Sequence, residues 1–236
     1  VKAVNESTIN PYKYFKKNSF CTMNLLKAMQ KSNVNKIIFS SSATVYGNDN
    51  KNPIKETGKL QPINPYGTSK LISEKIIIDF EKSIKNLNYV ILRYFNPIGY
   101  HESKLLNDDN SGDNLIPNLI KSLKFNRKFR IYGKNYNTKD GTAIRDYIHI
   151  RDLISAHISS INFIKKNKSS VFNVGTSKGY TVLDVIKSCE KIINKKINFN
   201  FTQRRKGDPE KIYCCSKKIK KEMNWRAKYT LLEMCS

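Results

Sequence analysis

Tyr66 and Lys70 are the two residues whose types and spacing most directly suggest acid–base chemistry in this chain. Side chains four residues apart on a helix lie on one face. An ammonium beside a phenol favours the phenolate and lowers the pKa of the tyrosine from about 10. The spacing therefore predicts a general base that works near neutral pH. Considered alone, such a pair is more often an exposed pair without a function.

Three serines at residues 40–42 directly follow an apolar segment that reads as a buried strand. In open α/β sheets, ligands bind outside the carboxyl ends of the strands. The serine hydroxyls are therefore expected in a ligand-binding crevice. For this segment alone, a serine-rich turn is the ordinary alternative.

Alternating helical and strand-like patterns must position these side chains. Helices are predicted at 11–34 and 66–87, and buried strands at 36–40 and 89–94. This rhythm predicts a doubly wound α/β sheet with right-handed crossovers. After residue 97 the pattern changes. The later predictions are a loop at 98–114, helices at 115–126, 151–166 and 216–223, strands at 129–132, 171–175 and 197–202, an extended segment at 145–150, and a capping-box helix start at 181–184.

The net charge of +24 has two interpretations. One is a protein that binds nucleic acid or another polyanion. The other is compositional drift, which we favour because the excess is carried by 35 lysines against 8 arginines, scattered along the chain. Arginine is the residue that usually reads bases through paired hydrogen bonds. We therefore expect no specific nucleic-acid partner, only a weak, salt-sensitive attraction to polyanions.

Cysteine and histidine patterns indicate no metal site. The five cysteines include no CxxC pair, and the three histidines form no HExxH motif. No apolar run approaches the length of a membrane span, and no signal-peptide pattern is visible at residue 1. These features predict reduced cysteines, a cytoplasmic location and no membrane partner.

Several long strings together resemble the UDP-glucose (UDP-galactose) 4-epimerases of the extended short-chain dehydrogenase/reductase family. The strings, in chain order, are SSSATVYG at 40–47, NPYGTSK at 64–70, LRYFNPIG at 92–99, DGTAIRDYIHIRDL at 140–153 and RRKGD at 204–208. Nucleotide-sugar dehydratases are less similar, because they typically carry an acidic pair where this chain has Ala43 and Thr44. The resemblance covers essentially the whole chain.

The resemblance implies an NAD-dependent isomerase that interconverts UDP-glucose and UDP-galactose. In this family a bound NAD takes a hydride from C4 of the sugar, the 4-keto sugar turns over, and the hydride returns to the opposite face. Tyr66 then corresponds to the base for the 4-hydroxyl proton. Lys70 corresponds to the residue that lowers the pKa of that base and binds the nicotinamide ribose. Ser42 corresponds to the hydroxyl that holds the reacting oxygen.

The resemblance also implies which residues contact the cofactor and the nucleotide sugar. Besides Tyr66 and Lys70, the positions that match NAD contacts are Lys2, Asn18, Ser40 and Phe95. Besides Ser42, the positions that match substrate contacts are Asn96 and Asn114 for sugar and phosphates, Leu115 and Tyr132 for uracil, Arg145 and Arg205 for the pyrophosphate, and Asp208 for the ribose. Arginine suits a pyrophosphate because its planar fork binds two oxygens at once. Taken alone, Arg145 and Asp146 could also be a structural ion pair.

One family feature is absent from the sequence. The family begins with a strand and a GxxGxxG turn that binds the NAD pyrophosphate, and the 236 residues contain no such turn. We therefore expect an N-terminally truncated fragment that is inactive by itself. The expected architecture is α/β. Residues 1–97 form the C-terminal part of an incomplete NAD-binding Rossmann domain (a doubly wound parallel sheet). Residues 98–236 form a smaller α/β substrate-binding domain, and 171–194 are a candidate to return to the main sheet.

Three alternatives stay open. A related epimerase could act on a UDP-pentose or a UDP-N-acetylhexosamine. Ile212, which matches a position that tunes acceptance of the N-acetyl group, does not decide this because its size is intermediate. A non-catalytic fragment that binds a UDP-sugar or polyanions is the third alternative. By resemblance, the full-length protein is expected to be a homodimer through helices that include 12–33 and 66–87.

Overall fold

The computed structural model describes residues 1–100, 114–205 and 208–236. Its strands are β1 (Lys36–Ser42), β2 (Asn88–Tyr94), β3 (Asn96–Ile98), β4 (Phe129–Tyr132), β5 (Ile144–Arg145), β6 (Tyr147–His149), β7 (Ser170–Val174), β8 (Tyr180–Thr181), β9 (Phe199–Thr202) and β10 (Lys211–Ile212). Its α-helices are α1 (Val4–Ile9), α2 (Pro11–Tyr14), α3 (Cys21–Lys31), α4 (Pro65–Phe80), α5 (Leu115–Lys124), α6 (Ile150–Ile164), α7 (Val182–Ile193), α8 (Lys217–Met223) and α9 (Leu231–Cys235). Most of the loop predicted at 98–114 lies outside the described residues.

A parallel sheet in the order β1-β2-β7 carries the first functional region. Alternate residues of β2 point to opposite faces, as strand geometry requires. Val90 and Leu92 pack in one core cluster with α6 and α8. Ile91 packs in another cluster with α3 and α4. Both faces of the sheet are therefore covered by helices, which confirms the predicted α/β class.

The register of this sheet aligns the carboxyl ends of its strands. Ser42 at the end of β1 lies beside Tyr94 of β2, which in turn lies beside Val174 of β7. One step earlier, Ser41, Arg93 and Asn173 form a second row across the same three strands. Residues within one row point to the same face, and successive rows point to opposite faces. The first row lies at the edge where ligands of such sheets bind.

Helix α4 begins where the sequence predicts and ends earlier. The Asn64 side chain accepts a hydrogen bond from the Gly67 amide at 2.8 Å, and proline occupies the first helical turn, so the N-terminus is well capped. The prediction of a helix to residue 87 was wrong, because the helix ends at Phe80 and continues as turns. Ile84 and Leu87 are nonetheless buried in the same core, and this burial explains the apparent helical period.

The helix predicted at 11–34 is interrupted by a π-helical segment, Phe15–Phe20. This segment turns Asn18 and Ser19 inward onto α4. Asn18 Nδ2 donates to Ser69 Oγ at 2.9 Å, and Ser19 Oγ donates to the Ser69 carbonyl at 2.9 Å. Such π-bulges often occur at functional sites, and here the bulge joins two helices beside Tyr66.

A second core lies under the remaining strands. β4 pairs in parallel with β9, and β5 is flanked by β10 and β8. Leu119, Phe129 and Ile131 pack with Val185 and Ile186 of α7 in one apolar cluster. The capping box predicted at the start of α7 is confirmed, since Thr181 and Asp184 bond each other's backbone amides. Among the described helices, none is long and apolar enough to cross a bilayer.

Candidate active site and nucleotide site

Ser42 and Tyr66 meet at the carboxyl end of β1. Ser42 ends the strand, and its hydroxyl caps the short 3₁₀ turn Ala43–Val45. Tyr66 lies in the first turn of α4 with 6% of its surface exposed, and the Ser42 side chain is near enough to lower the pKa of its phenol. Its ring also makes an edge contact with Tyr14 at 6.2 Å between centroids. The structure therefore brings together two of the three predicted catalytic side chains.

The expected low pKa of Tyr66 is not observed. Burial raises the pKa of Tyr66 to about 12, Tyr94 adds to the rise, and the nearby Ser42 side chain only partly opposes it. The prediction considered a lysine one helical turn away and did not consider how deeply the phenol is enclosed. Desolvation disfavours the charged form of a buried phenol, and it is the largest influence on the pKa of Tyr66.

Lys70 points along β1. Its Nζ donates to the Ser40 carbonyl at 2.9 Å and lies over the Phe39 ring. Burial lowers the pKa of the Lys70 ammonium, and the Glu74 carboxylate opposes that change. The Ser40 hydroxyl is within 2.9 Å of His157 Nε2, while His157 Nδ1 lies 2.9 Å from the Leu153 carbonyl. Ser40 thus links Lys70 to helix α6.

A buried ionic network lies directly beneath these groups. The carboxylate of Glu74 accepts from Arg93 Nη2 at 2.6 Å and from Arg93 Nε at 3.0 and 3.1 Å, and it also accepts from the Ser41 hydroxyl. Arg93 Nη1 donates to the Tyr46 hydroxyl at 3.0 Å, which donates to Asn173 at 2.6 Å. Glu74 is 1% exposed and Arg93 3% exposed. This network fixes α4 over the sheet one residue below Ser42.

Of the remaining predicted cofactor residues, Asn18 contacts α4 and Phe95 packs beside the turn that follows β1. Asn18 is buried and reaches both Ser69 and the Val1 carbonyl, the latter at 3.4 Å. Phe95 is 3% exposed and packs with Ala43 and other apolar residues. Lys2 is exposed near the start of the chain.

The predicted nucleotide residues fall into two contacting pairs. Arg145 Nη2 donates to Asp208 Oδ1 at 2.5 Å. The guanidinium of Arg205 stacks on the ring of Tyr132 with 3.9 Å to the ring centroid. Asp146 is not the partner of Arg145. Its buried carboxylate instead accepts hydrogen bonds from the loop at 176–177 and from the backbone amide of residue 214.

The other predicted substrate residues, and Ile212, lie on β3, at the start of α5 and on β10. Asn96 begins β3 and its amide donates to the Asp146 carbonyl at 3.0 Å. Asn114 is exposed at the N-cap of α5, and its side chain does not cap the helix. Leu115 packs against the second core. Ile212 lies beside Arg145 in the β10–β5 pair.

A second arginine–tyrosine stack stands next to the first. Arg204 covers the ring of Tyr136 at 3.9 Å, and its Nε donates to Asn135 Oδ1 at 2.8 Å. Gly133, with a φ of 83°, lies beneath this stack, and a Cβ there would come within 2.4 Å of Tyr136 Cε2. Consecutive arginines thus lie on two tyrosines that are four residues apart.

Comparisons with known proteins agree with this geometry. The family model described as GDP-mannose 4,6 dehydratase matches residues 1–236. The chain is 44% identical over 242 residues to a pea (Pisum sativum) protein named bifunctional UDP-glucose 4-epimerase and UDP-xylose 4-epimerase 1, and the match covers 100% of this chain and 69% of that protein. The chain belongs to the UDP-glucose 4-epimerase family.

Solved structures of this family place ligands on the same fold. A UDP-glucose 4-epimerase from Stenotrophomonas maltophila, with bound NAD and formylated UDP-arabinopyranose, superposes with a TM-score of 0.94 at 35% identity. A Bifidobacterium longum UDP-glucose 4-epimerase in complex with NAD+ and UDP has a TM-score of 0.92 at 44% identity. In both comparisons 100% of this chain and 71% of the other chain are covered. The family assignment made from the sequence motifs is thereby confirmed.

Sequence reasoning missed four residues that shape the epimerase-like site. Glu74 follows Lys70 by one helical turn, and Arg93 lies within the LRYFNPIG string. Tyr136 and Arg204 also stand within or beside matched strings. A buried acid and a buried base carry no local signal of their pairing. The sequence offers one indication of the pair: Glu74 and Arg93 are opposite charges in a predicted helix and in the buried strand that follows it.

Proposed function

We propose that this chain supplies the catalytic and nucleotide-binding groups for the NAD-dependent interconversion of UDP-glucose and UDP-galactose. The observation that carries the proposal is the meeting of Ser42 and Tyr66 at the carboxyl end of β1, with Lys70 along the same strand. Two hydroxyls that converge on one point suit a single sugar oxygen, which must lose and regain a proton.

Each chain group has a distinct part in this reaction. Ser42 donates a hydrogen bond to the 4-oxygen of the sugar and holds it beside Tyr66. Tyr66 accepts the 4-hydroxyl proton and later returns it. Burial raises the pKa of Tyr66 to about 12, so a phenolate that works near neutral pH needs a positive charge beside it. The Lys70 ammonium, four residues away on α4, is proposed to supply that charge during the reaction.

The cofactor proposal rests on the donors of this chain. Lys70 Nζ donates a hydrogen bond to the Ser40 carbonyl, and an ammonium has three N–H donors in all. Lys70 therefore suits a diol such as a ribose, and Lys2, Asn18, Ser40 and Phe95 are proposed to border the same ligand. When bound, NAD supplies a reversible hydride acceptor.

The nucleotide is proposed to bind at the two arginine pairs. Arg145 and Arg205 provide planar donors for the two phosphates, Tyr132 and Leu115 border the uracil, and Asp208 faces the ribose. Asn96 and Asn114 are proposed to hold the sugar and the phosphates.

UDP-hexose is the proposed substrate, and UDP-pentose is the second candidate because the pea relative is named for both UDP-glucose and UDP-xylose. The intermediate size of Ile212 does not decide whether a UDP-N-acetylhexosamine is also a substrate. Comparing kcat/KM for a UDP-hexose, a UDP-pentose and a UDP-N-acetylhexosamine would show which of the three classes is the preferred substrate.

The domain boundary at residue 97, the homodimer and the cytoplasmic location stay predictions. Several apolar side chains in the N-terminal helices are exposed, including Phe20 and Leu25, each 51%. Their exposure supports a helical dimer interface there. Sedimentation at rising concentration would detect it, and a Leu25→Lys variant should weaken association.

The test of the proposed function has two parts. First, the 236-residue chain is titrated with UDP by calorimetry, and we expect binding. Second, turnover of UDP-galactose with NAD is followed for the chain alone and for the chain joined to the N-terminal part of the pea relative. We propose that only the joined protein turns over, because a glycine-rich turn is needed for the NAD pyrophosphate.

Tyr66→Phe should lower turnover of the joined protein by about 10²–10⁴-fold, the usual contribution of a general base. Tyr89→Phe is the matched control, because Tyr89 lies near the opposite end of β2. Full activity of Tyr66→Phe, or no binding of UDP by the chain, would refute the proposal.

A further inference from the structure

The hydroxyl of Tyr136 is buried and lacks a hydrogen-bond partner. Tyr136 is 4% exposed, and its Oη is the buried side-chain atom in the described ranges that is left unpaired. A buried polar group without a partner is destabilising, and most such groups in folded proteins are paired. The unpaired hydroxyl therefore needs an explanation beyond packing.

The surrounding residues hold Tyr136 in this position. Its amide donates to the Gly141 carbonyl at 3.0 Å, and its carbonyl accepts from the Thr138 amide at 2.8 Å. The Arg204 guanidinium covers one face of the ring, and Gly133 lies so close that a Cβ would collide with it. The two backbone hydrogen bonds and the Arg204 stack therefore hold the Tyr136 ring in its place.

Tyr136 lies among the charged groups of the proposed nucleotide site. Burial raises the pKa of Tyr136, the Asp208 carboxylate adds to the rise, and Arg145, Arg204 and Arg205 oppose it. All four charged groups are therefore near enough to act on the phenol. A neutral donor among three guanidinium groups suits an anionic oxygen, since hydrogen bonds to charged acceptors are the stronger kind.

The charged groups of the site are paired internally in this structure. Arg145 is bonded to Asp208, and Arg205 lies on Tyr132. A diphosphate must exchange with these contacts to reach the arginines. The Tyr136 hydroxyl, by contrast, has no internal hydrogen bond to give up.

We propose that Tyr136 is a further nucleotide-binding residue, whose hydroxyl donates a hydrogen bond to a diphosphate oxygen once the Arg145–Asp208 pair opens. The inference rests on the proposed function, because it takes the diphosphate to be that of a bound uridine nucleotide. Tyr136 lies outside the set of site residues that the sequence motifs predict.

The test removes one oxygen atom. Tyr136→Phe and the control Tyr89→Phe are titrated calorimetrically with UDP and with uridine, and their thermal midpoints are measured without ligand. We expect Tyr136→Phe to weaken UDP binding about tenfold or more, the value of a hydrogen bond to a charged group. Uridine binding should be unchanged, and the midpoint should stay the same or rise, because an unpaired hydroxyl is removed. Tyr89→Phe should bind UDP as the unaltered chain does.

Equal UDP affinity of Tyr136→Phe and the unaltered chain would overturn the inference while leaving the proposed function intact. A lower midpoint with equal loss of UDP and uridine binding would also overturn it, because that pattern belongs to a structural hydroxyl. If the unaltered chain binds no UDP, the proposed function fails and the inference fails with it. As a second measurement, a 3-fluorotyrosine placed at position 136 should shift its fluorine resonance with UDP and not with uridine.

Discussion

The proposed catalytic region and the proposed nucleotide region of this molecule are held together in different ways. We define the catalytic corner as Ser41, Ser42, Tyr66, Lys70, Glu74 and Arg93, and the nucleotide corner as Tyr132, Tyr136, Arg145, Arg204, Arg205 and Asp208. In the catalytic corner the ion pair is buried, with side chains 4% and 1% exposed. In the nucleotide corner the pair of Arg145 and Asp208 is 11% and 29% exposed.

This difference matches what each corner has to do. A proton transfer needs atoms held within fractions of an ångström, and a fully bonded buried network supplies that rigidity. A diphosphate site has to release its internal contacts when the ligand arrives, so partly exposed pairs of modest strength are suitable there. The catalytic corner is therefore expected to contribute to stability, and the nucleotide corner mainly to binding.

The largest effect is expected from Glu74→Ala in the catalytic corner. The variant leaves the Arg93 guanidinium buried without its carboxylate, which should lower the free energy of unfolding by about 3–5 kcal/mol. Urea unfolding followed by circular dichroism measures this loss. The double variant Glu74→Gln with Arg93→Met removes both charges and should recover much of the lost stability, because no buried charge is left without its partner. A double variant no more stable than Glu74→Ala would contradict the comparison.

The next effect is a pH dependence at Tyr66. Its pKa is raised to about 12 in the folded chain, so its contribution to stability is complete below the unfolded pKa of about 10 and is lost as the pH rises through 12. Between pH 8 and pH 11 the unaltered chain should therefore lose about 1 kcal/mol more stability than Tyr66→Phe. Urea midpoints at the two pH values measure the difference. Parallel losses in both proteins would mean that burial does not set this pKa.

The sequence predicted the elements of the catalytic corner well because their signals are local. The end of β1 is marked by serines after an apolar run, and the start of α4 by an asparagine before a proline. The same reasoning predicted β4 at residues 129–132, and those are its bounds in the structure. Short strands such as β8 and β10 have two residues each, and they exist only through partners distant in the chain.

Electrostatic features were harder to predict than elements. The spacing of Tyr66 and Lys70 correctly suggested a shared helix, but whether the pKa of the Tyr66 phenol is raised or lowered depends on its burial in the folded protein. Glu74 and Arg93 are 19 residues apart, and their pairing follows from the packing of α4 on β2. The predicted roles of the nucleotide residues come from resemblance to known proteins, and their contacts in the structure were not inferable from spacing.

A smaller effect is expected from Arg204→Ala in the nucleotide corner. The change removes an exposed cation–π stack on Tyr136 and the hydrogen bond to Asn135, together about 1 kcal/mol of stability. Arg204→Lys keeps the charge and loses the planar stack, so its stability should lie between those of the unaltered chain and of Arg204→Ala. Thermal midpoints measure the series. If Arg204→Ala loses as much stability as Glu74→Ala, the two corners do not differ in how much they stabilise the fold.

The smallest stability effect is expected from Asp208→Asn, which is the sharpest test of the contrast. The amide keeps the shape and removes the charge that pairs with Arg145, and since Asp208 is 29% exposed the free energy of unfolding should fall by less than about 1 kcal/mol. The free energy of UDP binding should change by more than the free energy of unfolding, because the carboxylate is the proposed partner of the ribose. The substitution also releases Arg145 from its internal partner, so that Arg145 is available to the phosphates of UDP. Uridine has no phosphates, so its affinity should change by a different factor from that of UDP. Calorimetric titration of both ligands, beside urea unfolding of the same variant, separates the two contributions. A variant that is strongly destabilised, with ligand affinities unchanged, would mean that the nucleotide corner is a structural network like the one beneath Ser42.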